Sequence, residues 1–215
     1  MAGTVAAVVV AAGRGLRAGG GVPKQYRPIP GGTAIQRSLA MFSRHAEITF
    51  VQPVIHPDDQ DTFERSSAAF RLLPAAFGGA TRQDSVRAGL EALAARKPDI
   101  VLIHDAARPF ASPTLITRAI AAAAKNHAPV PVLPVAGTVK TVDADGLATG
   151  TLDRALLPAV QTPQACGFAG IADAHRRAFQ AARDDFTDDA ALAEWAGMKV
   201  ATFAGEAGNI KLTTP

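Results

Sequence analysis

At 215 residues, 48% of them hydrophobic, the chain has the length of one domain and ample apolar side chain for a core. It has no run near the roughly 18 apolar residues of a membrane-crossing helix, no N-terminal pattern of a secretory signal, and one cysteine, Cys166, which excludes an intrachain disulfide and suits a reducing cytoplasm. Its net charge of +3 is spread over dispersed cations, with one Tyr and one Trp, which argues against a nucleic-acid groove and for a small anionic ligand.

Val5–Val10 reads as a buried strand. It runs into residues 10–24, which hold five glycines (Gly13, Gly15, Gly19, Gly20 and Gly21) and the cations Arg14, Arg17 and Lys24. Glycine lets backbone N–H groups close around an anion, and fixed cations beside them stabilise charge developing on phosphorus. The loop therefore reads as a cradle for a nucleoside triphosphate, against the plain alternative of a surface turn. Gly13, Gly15 and Ala18 formally fit the dinucleotide fingerprint. The sequence continues through Gly19–Gly21 to Pro23 instead of opening a helix, and the first acid, Glu47, stands too far on for a ribose. A P-loop is excluded because Gln25 follows Lys24 where Ser or Thr is needed.

Thr33 reads as the N-cap of a helix to about Arg44. Ile48–Ile55 reads as a strand that Pro53 confines to an edge or bulge. Pro57-Asp58-Asp59 opens a helix to about Phe70, and Arg71–Phe77 reads as a short strand. Thr81–Arg96 carries helical spacing at Val86, Leu90 and Leu93. Ile100–His104 is a strand ending in Asp105. Ser112-Pro113 starts a helix to about Asn126, and Val130–Val135 is the next strand. This alternation predicts an α/β fold with a mainly parallel sheet, helices on both faces, and ligands at the carboxyl ends of the strands. The glycine loop, Gly78-Gly79 and Asp105–Pro109 meet at that rim.

Residues 138–163 break the rhythm. Thr138–Val142 and Leu152–Leu156 flank the turn Asp143–Gly146 and read as a β-hairpin arm at about 138–157, which is expected to pack on a second subunit because an isolated hairpin is marginal in water, against the plain alternative of a local decorating hairpin. At the rim, Asp105 and Arg108 either bind ligand or pair with each other. Arg82 and Ser85 open a helix near positive backbone potential, or serve as an ordinary cap and a solvated cation. Thr187-Asp188-Asp189 reads first as an N-cap before a helix through Trp195. Lys211 alone carries little signal. The histidines at 45, 56, 104, 127 and 175 lack metal-ligand spacing, so no metal ligand is assigned.

The ordered set Ala11-Ala12-Gly13-x-Gly15-x-Arg17, Pro23-Lys24-Gln25-Tyr26, Arg82-x-x-Ser85, His104–Pro109, Thr162-Pro163-Gln164, Thr187-Asp188 and Asn209-Ile210-Lys211 spans nearly the whole chain. It resembles the 2-C-methyl-D-erythritol 4-phosphate cytidylyltransferase family of nucleotidyltransferases. The resemblance implies transfer of CMP from CTP to the polyol phosphate, with Mg²⁺ held mainly by the CTP phosphates, by a cytoplasmic homodimer joined through its arms. It implies catalysis by Arg17 and Lys24 and CTP contacts at Ala11, Ala12, Gly13, Gly15, Gly79, Ala80, Arg82, Ser85 and Ala106. Acceptor contacts would come from Asp105, Arg108, Thr138, Thr162, Thr187 and Lys211, with Arg154 reaching across the dimer. Val10 and Ala80 depart from the family's usual proline and acidic residue. The chain stops where the family continues into a final helix, and some relatives fuse this domain to a cyclodiphosphate synthase, so it also reads as the front half of such a fusion. The rival readings are a cytidylyltransferase for ribitol 5-phosphate or another polyol phosphate, a nucleotide-binding regulator and, distantly, a nicotinamide dehydrogenase.

Overall fold

A computed structural model of the chain describes residues 3–14, 22–125 and 128–213. The first half runs β1 (Val5–Ala11), β2 (Pro28–Ile29), β3 (Gly32–Thr33), α1 (Ala34–Ser43), β4 (Phe50–Ile55), α2 (Gln60–Ser67), β5 (Ala76–Phe77), α3 (Arg82–Ala92), β6 (Ile100–Asp105) and α4 (Pro113–Ala123). The second half runs β7 (Ala128–Leu133), β8 (Val139–Val142), β9 (Ala148–Leu152), β10 (Ala159–Val160), β11 (Gln164–Gly167), α5 (Phe168–Gln180), α6 (Asp189–Trp195) and β12 (Val200–Ala204).

The main sheet has the order β11-β6-β1-β4-β5. Its strands are parallel except β11, which runs antiparallel along β6. Alternation along β1 divides the core between the two faces. Val5, Ala7, Val9 and Ala11 face α1 and α4, whereas Ala6 and Val8 face α3 and α5. Each fully buried Val or Leu contributes about 1.5–3 kcal/mol, so a sheet buried on both faces fixes the strand ends that carry the site. Gly89 lets α3 lie close on that sheet: a Cβ there would stand 2.7 Å from methyls of both Val8 and Val54.

Helix starts follow their caps. Thr33 and Thr81 both form capping boxes, with Gln36 and Asp84. Ser112 accepts from the Leu115 N–H, and Pro113 occupies the first turn. At α6 the capping side chain is Asp188, which accepts from the Ala191 N–H.

Several expectations are corrected. Strand β4 is interior, because β5 adds beyond it. Pro53 is tolerated because Val51 and Ile55, two residues to either side, accept from Leu73 and Gly78 on the flank away from β1; the missing N–H faces that flank, where β5 pairs only Val54 and Ile55. Of Arg71–Phe77 only Ala76–Phe77 is strand. Strand β7 joins a separate three-stranded sheet, β10-β7-β12. The arm pairs β8 with β9, which ends at Leu152; Arg154–Leu156 is a 3-10 turn instead of strand. Among the described residues no helix is long and apolar enough to cross a membrane.

Candidate active site

From β1 the chain builds outward to β4 and β5, then returns to β6 on the other flank of β1. The crevice between the ends of β1 and β6 is therefore the switch point at which open parallel sheets bind ligands. A cavity of about 830 Å³ opens there. Its walls are Val10–Arg14 from the end of β1, Lys24 and Gln25, His56, Gly79–Arg82 and Ser85 around the start of α3, Asp105–Ala107 after β6, and Lys211 and Thr213.

The backbone cradle is held from below. Gln25 is buried, and its Nε2 donates to the carbonyls of Ala11 (2.7 Å) and Gly13 (3.2 Å), tying the two ends of the glycine loop together. Lys24 opens the 3-10 turn Lys24–Tyr26 directly after Pro23 and lines the cavity. Where the segment before α3 meets the end of β1, a Cβ on Gly78 would lie 2.3 Å from the Ala12 Cβ and 2.6 Å from the Ser85 Oγ, so only glycine lets this segment approach β1. Arg14 is drawn to the turn after β4, where it donates to Asp59 at 3.1 Å and lies 3.7 Å from Asp58.

Opposite the cradle lies a line of alternating charge. Asp105 is 8% exposed. Its Oδ1 accepts from Arg82 Nε at 2.9 Å and its Oδ2 from Lys211 Nζ at 2.6 Å. Burial opposes its ionisation, but the two cations overcome this and hold the carboxyl below the ordinary carboxylate range. Arg82 continues to Asp189, its Nη2 standing 2.9 Å from Oδ2. Burial works against its charge as well, yet the two carboxylates raise its pKa above the usual guanidinium value. The pairing of Asp105 with Arg108 is not formed; Arg108 Nη1 donates instead to the Asn209 carbonyl at 2.9 Å. Arg82 is a partly buried ion-pair link between two carboxylates and not a freely solvated cation.

Behind Asp105 a neutral network sets the strand end. His104 Nε2 lies 2.9 Å from the Arg108 carbonyl, which can only accept, so Nε2 carries the proton. Burial pushes the His104 pKa down to about 4, so Nδ1 is an acceptor, and it takes the Thr162 hydroxyl at 3.1 Å. The same hydroxyl accepts from the Asp105 N–H at 3.2 Å. Asn209 Nδ2 donates to the Thr162 carbonyl and the Leu212 N–H to the Ala107 carbonyl, which docks the segment carrying Lys211 beside Asp105.

The fold thus brings Ala11, Ala12, Gly13, Lys24, Gly79, Ala80, Arg82, Ser85, Asp105, Ala106 and Lys211 into one cavity. Gly15 and Arg17 lie outside the described residues. Thr162 and Arg108 stand behind the wall, holding Asp105 and Asn209. Thr138 and Thr187 are exposed away from it. Arg154 is exposed on the 3-10 turn after β9 and donates to the Ala136 carbonyl of its own chain, just before the arm. Gln25 and Asp189 stand within sequence motifs that do not reveal their roles, and His56 and Thr81 line the cavity without a sequence signal that marks them. A glutamine between a loop cation and a buried tyrosine was the available signal for Gln25; nothing local marked Asp189.

Residues 5–215 match the sequence model of the family described as 2-C-methyl-D-erythritol 4-phosphate cytidylyltransferase. A protein of Nitrobacter winogradskyi named bifunctional enzyme IspD/IspF is 62% identical over 98% of this chain and 53% of its own length. A Rhodopseudomonas palustris protein of the same name is 61% identical over 98% of this chain and 52% of its own. The chain thus spans about half the length of these relatives. Among solved structures, 4-diphosphocytidyl-2C-methyl-D-erythritol synthase from Anaerococcus prevotii superposes with a TM-score of 0.87 at 32% identity, covering 99% of this chain and 92% of that one. The bifunctional IspDF of Campylobacter jejuni shares the fold, with a TM-score of 0.82 at 23% identity over 98% of this chain and 52% of its own.

Proposed function

Since the chain belongs to the 2-C-methyl-D-erythritol 4-phosphate cytidylyltransferase family, we propose that it transfers CMP from CTP to 2-C-methyl-D-erythritol 4-phosphate, releasing pyrophosphate. The observation that carries this reading is one cavity lined both by the Ala11–Gly13 backbone and Lys24 and by the Arg82–Asp105–Lys211 charge line. Residues 1–215 then form one cytidylyltransferase unit.

The triphosphate lies against Ala11–Gly13, with the base toward Gly79, Ala80 and Ser85. An oxygen of the acceptor phosphate attacks the α-phosphorus in line. The new P–O bond forms as the α–β bridge breaks, and pyrophosphate leaves. The attacking oxygen is already anionic, so no general base is required. Lys24 faces the charge that builds on phosphorus, and catalysis is mainly positioning and charge stabilisation; Arg17 shares this role in the proposal. Asp105 and Lys211 receive the acceptor's hydroxyl and phosphate groups, with Arg108, Thr162, Thr138 and Thr187 supporting that side.

Mg²⁺ would be bound chiefly by phosphate oxygens, whose charge it neutralises. The described residues hold no cluster of three His, Cys, Asp or Glu, and Asp105 has both oxygens engaged, which fits an ion carried by the nucleotide. The exposed apolar residues of the arm, and Arg154 at its base, support a homodimer in which Arg154 turns toward the partner's acceptor site. The lone buried Cys166 is compatible with the cytoplasm.

The test is pyrophosphate release with CTP, Mg²⁺ and a panel of polyol phosphates. Turnover highest with methylerythritol phosphate is expected. A preference for ribitol 5-phosphate would reassign the acceptor, and CTP binding with no release on any acceptor would mark a nucleotide-binding regulator.

A further inference from the structure

We propose that His175 is a positioning residue for the acceptor side of the cavity: through Asp189 it holds Arg82 in the place that lets Asp105 and Lys211 meet the substrate. The inference rests on the function proposed above and extends it to a side chain on α5 that no cavity-lining motif contains.

His175 and Asp189 are each 1% exposed. His175 Nε2 lies 3.1 Å from Asp189 Oδ1, and Asp189 Oδ2 lies 2.9 Å from Arg82 Nη2. Arg82 Nε and Lys211 Nζ then share the two oxygens of Asp105. A carboxylate only accepts, so His175 carries a proton on Nε2 and donates that N–H in a hydrogen bond to Asp189. Its Nδ1 is buried and has no hydrogen-bond partner among the described residues. The ring's hydrogen bonding is therefore directed to Asp189 alone.

The backbone around Asp189 is fixed independently. Asp188 caps α6, and the Ala190 N–H donates to the buried Gln164 side chain at 3.0 Å. What His175 adds is the orientation of the Asp189 carboxylate. If its donor is lost, Oδ1 is left buried and unsatisfied, which is costly. Arg82, at the first position of α3, already stands 2.9 Å from Oδ2 and is a charged donor beside the same carboxylate. Asp189 then turns to take the guanidinium on both oxygens, drawing it from Asp105 and leaving that carboxylate to Lys211 alone. The cradle and Lys24, on the other side of the cavity, are untouched.

The test compares His175→Gln with His175→Asn. The glutamine amide nitrogen reaches the Nε2 position and restores the donor; the asparagine amide stops near Nδ1 and does not. Both replace the ring by a neutral amide, so a purely structural histidine would make them equivalent. In steady-state assays the Asn variant is expected to raise the KM for methylerythritol phosphate about tenfold, the size expected for one hydrogen bond to a charged group, with KM for CTP within about twofold; the Gln variant stays near wild type. Equal behaviour of the two variants, the reverse order, or a matching rise in both KM values would overturn the proposal. A second readout needs no turnover. The Arg82 Nε–H resonance should exchange slowly with solvent in wild type and the Gln variant, and about tenfold faster in the Asn variant. Exchange that is the same in all three proteins would sink the positioning role. The predicted exchange pattern in a protein that releases no pyrophosphate would instead refute the proposed function and leave the relay standing.

Discussion

His104 shows how much one buried side chain sets at the rim. It is neutral, donates its one ring N–H to the Arg108 carbonyl and accepts from the Thr162 hydroxyl, which in turn accepts from the backbone N–H of Asp105. Its native pKa of about 4 stands below the ordinary value of 6.5. Above pH 6.5 both the native and unfolded chains are neutral there. Between 6.5 and 4 the unfolded chain takes up a proton that the native state refuses, so stability falls as pH falls, by about 3 kcal/mol across the window. The carboxyls of Asp105 and Asp189 are held below their ordinary range, so their contributions are lost only at lower pH. Urea unfolding at pH 6.8 and pH 4.5 should show this loss in the wild type and a shallower one in His104→Gln; identical slopes would contradict the assignment.

At the scale of elements, the site depends on how closely the start of α3 can approach β1. Gly78→Ala should cost about 1–3 kcal/mol through overpacking and weaken CTP binding, because the new Cβ falls 2.3 Å from that of Ala12. Gly137→Ala, with nothing within 4 Å of the added carbon, should stay within about 0.5 kcal/mol of wild type. Thermal unfolding and nucleotide titration of the two variants check this, and equal behaviour would refute it. These elements were legible because their signals are local: Thr33, Thr81 and Ser112 cap their helices, and apolar runs end in Gly13 and Asp105. Helix α5 went unread because its N-cap, Gly167, offers no side-chain bond. Strand β9 is exposed throughout and lacks the alternation that marks a half-buried strand, whereas Leu152–Leu156 has a leucine at each end and resembles a strand more in sequence. That β7 belongs to a second sheet could not be read from strand–helix order, which does not say where a strand pairs. The cavity's motif residues were visible in sequence. The relay from His175 through Asp189 to Arg82 was not, since it joins three helices only after packing.

For the whole molecule, the proposed homodimer rests on the arm. Val142, Leu147 and Leu156 are 62%, 67% and 78% exposed, more apolar surface than a hairpin standing in water retains without a partner. Sedimentation should give a dimer, and Leu147→Lys with Leu156→Lys should give a monomer that still binds CTP; a wild-type monomer at high concentration would remove the arm from assembly. The proposed function requires that Lys24, in the cavity at the ends of β1 and β6, face the α-phosphorus of a bound triphosphate. The most direct measurement is turnover of Lys24→Ala at saturating CTP and acceptor. A fall in kcat of about 10²–10³-fold with CTP affinity changed only severalfold is expected for the loss of one preorganised charge, and an unchanged kcat would contradict the claim.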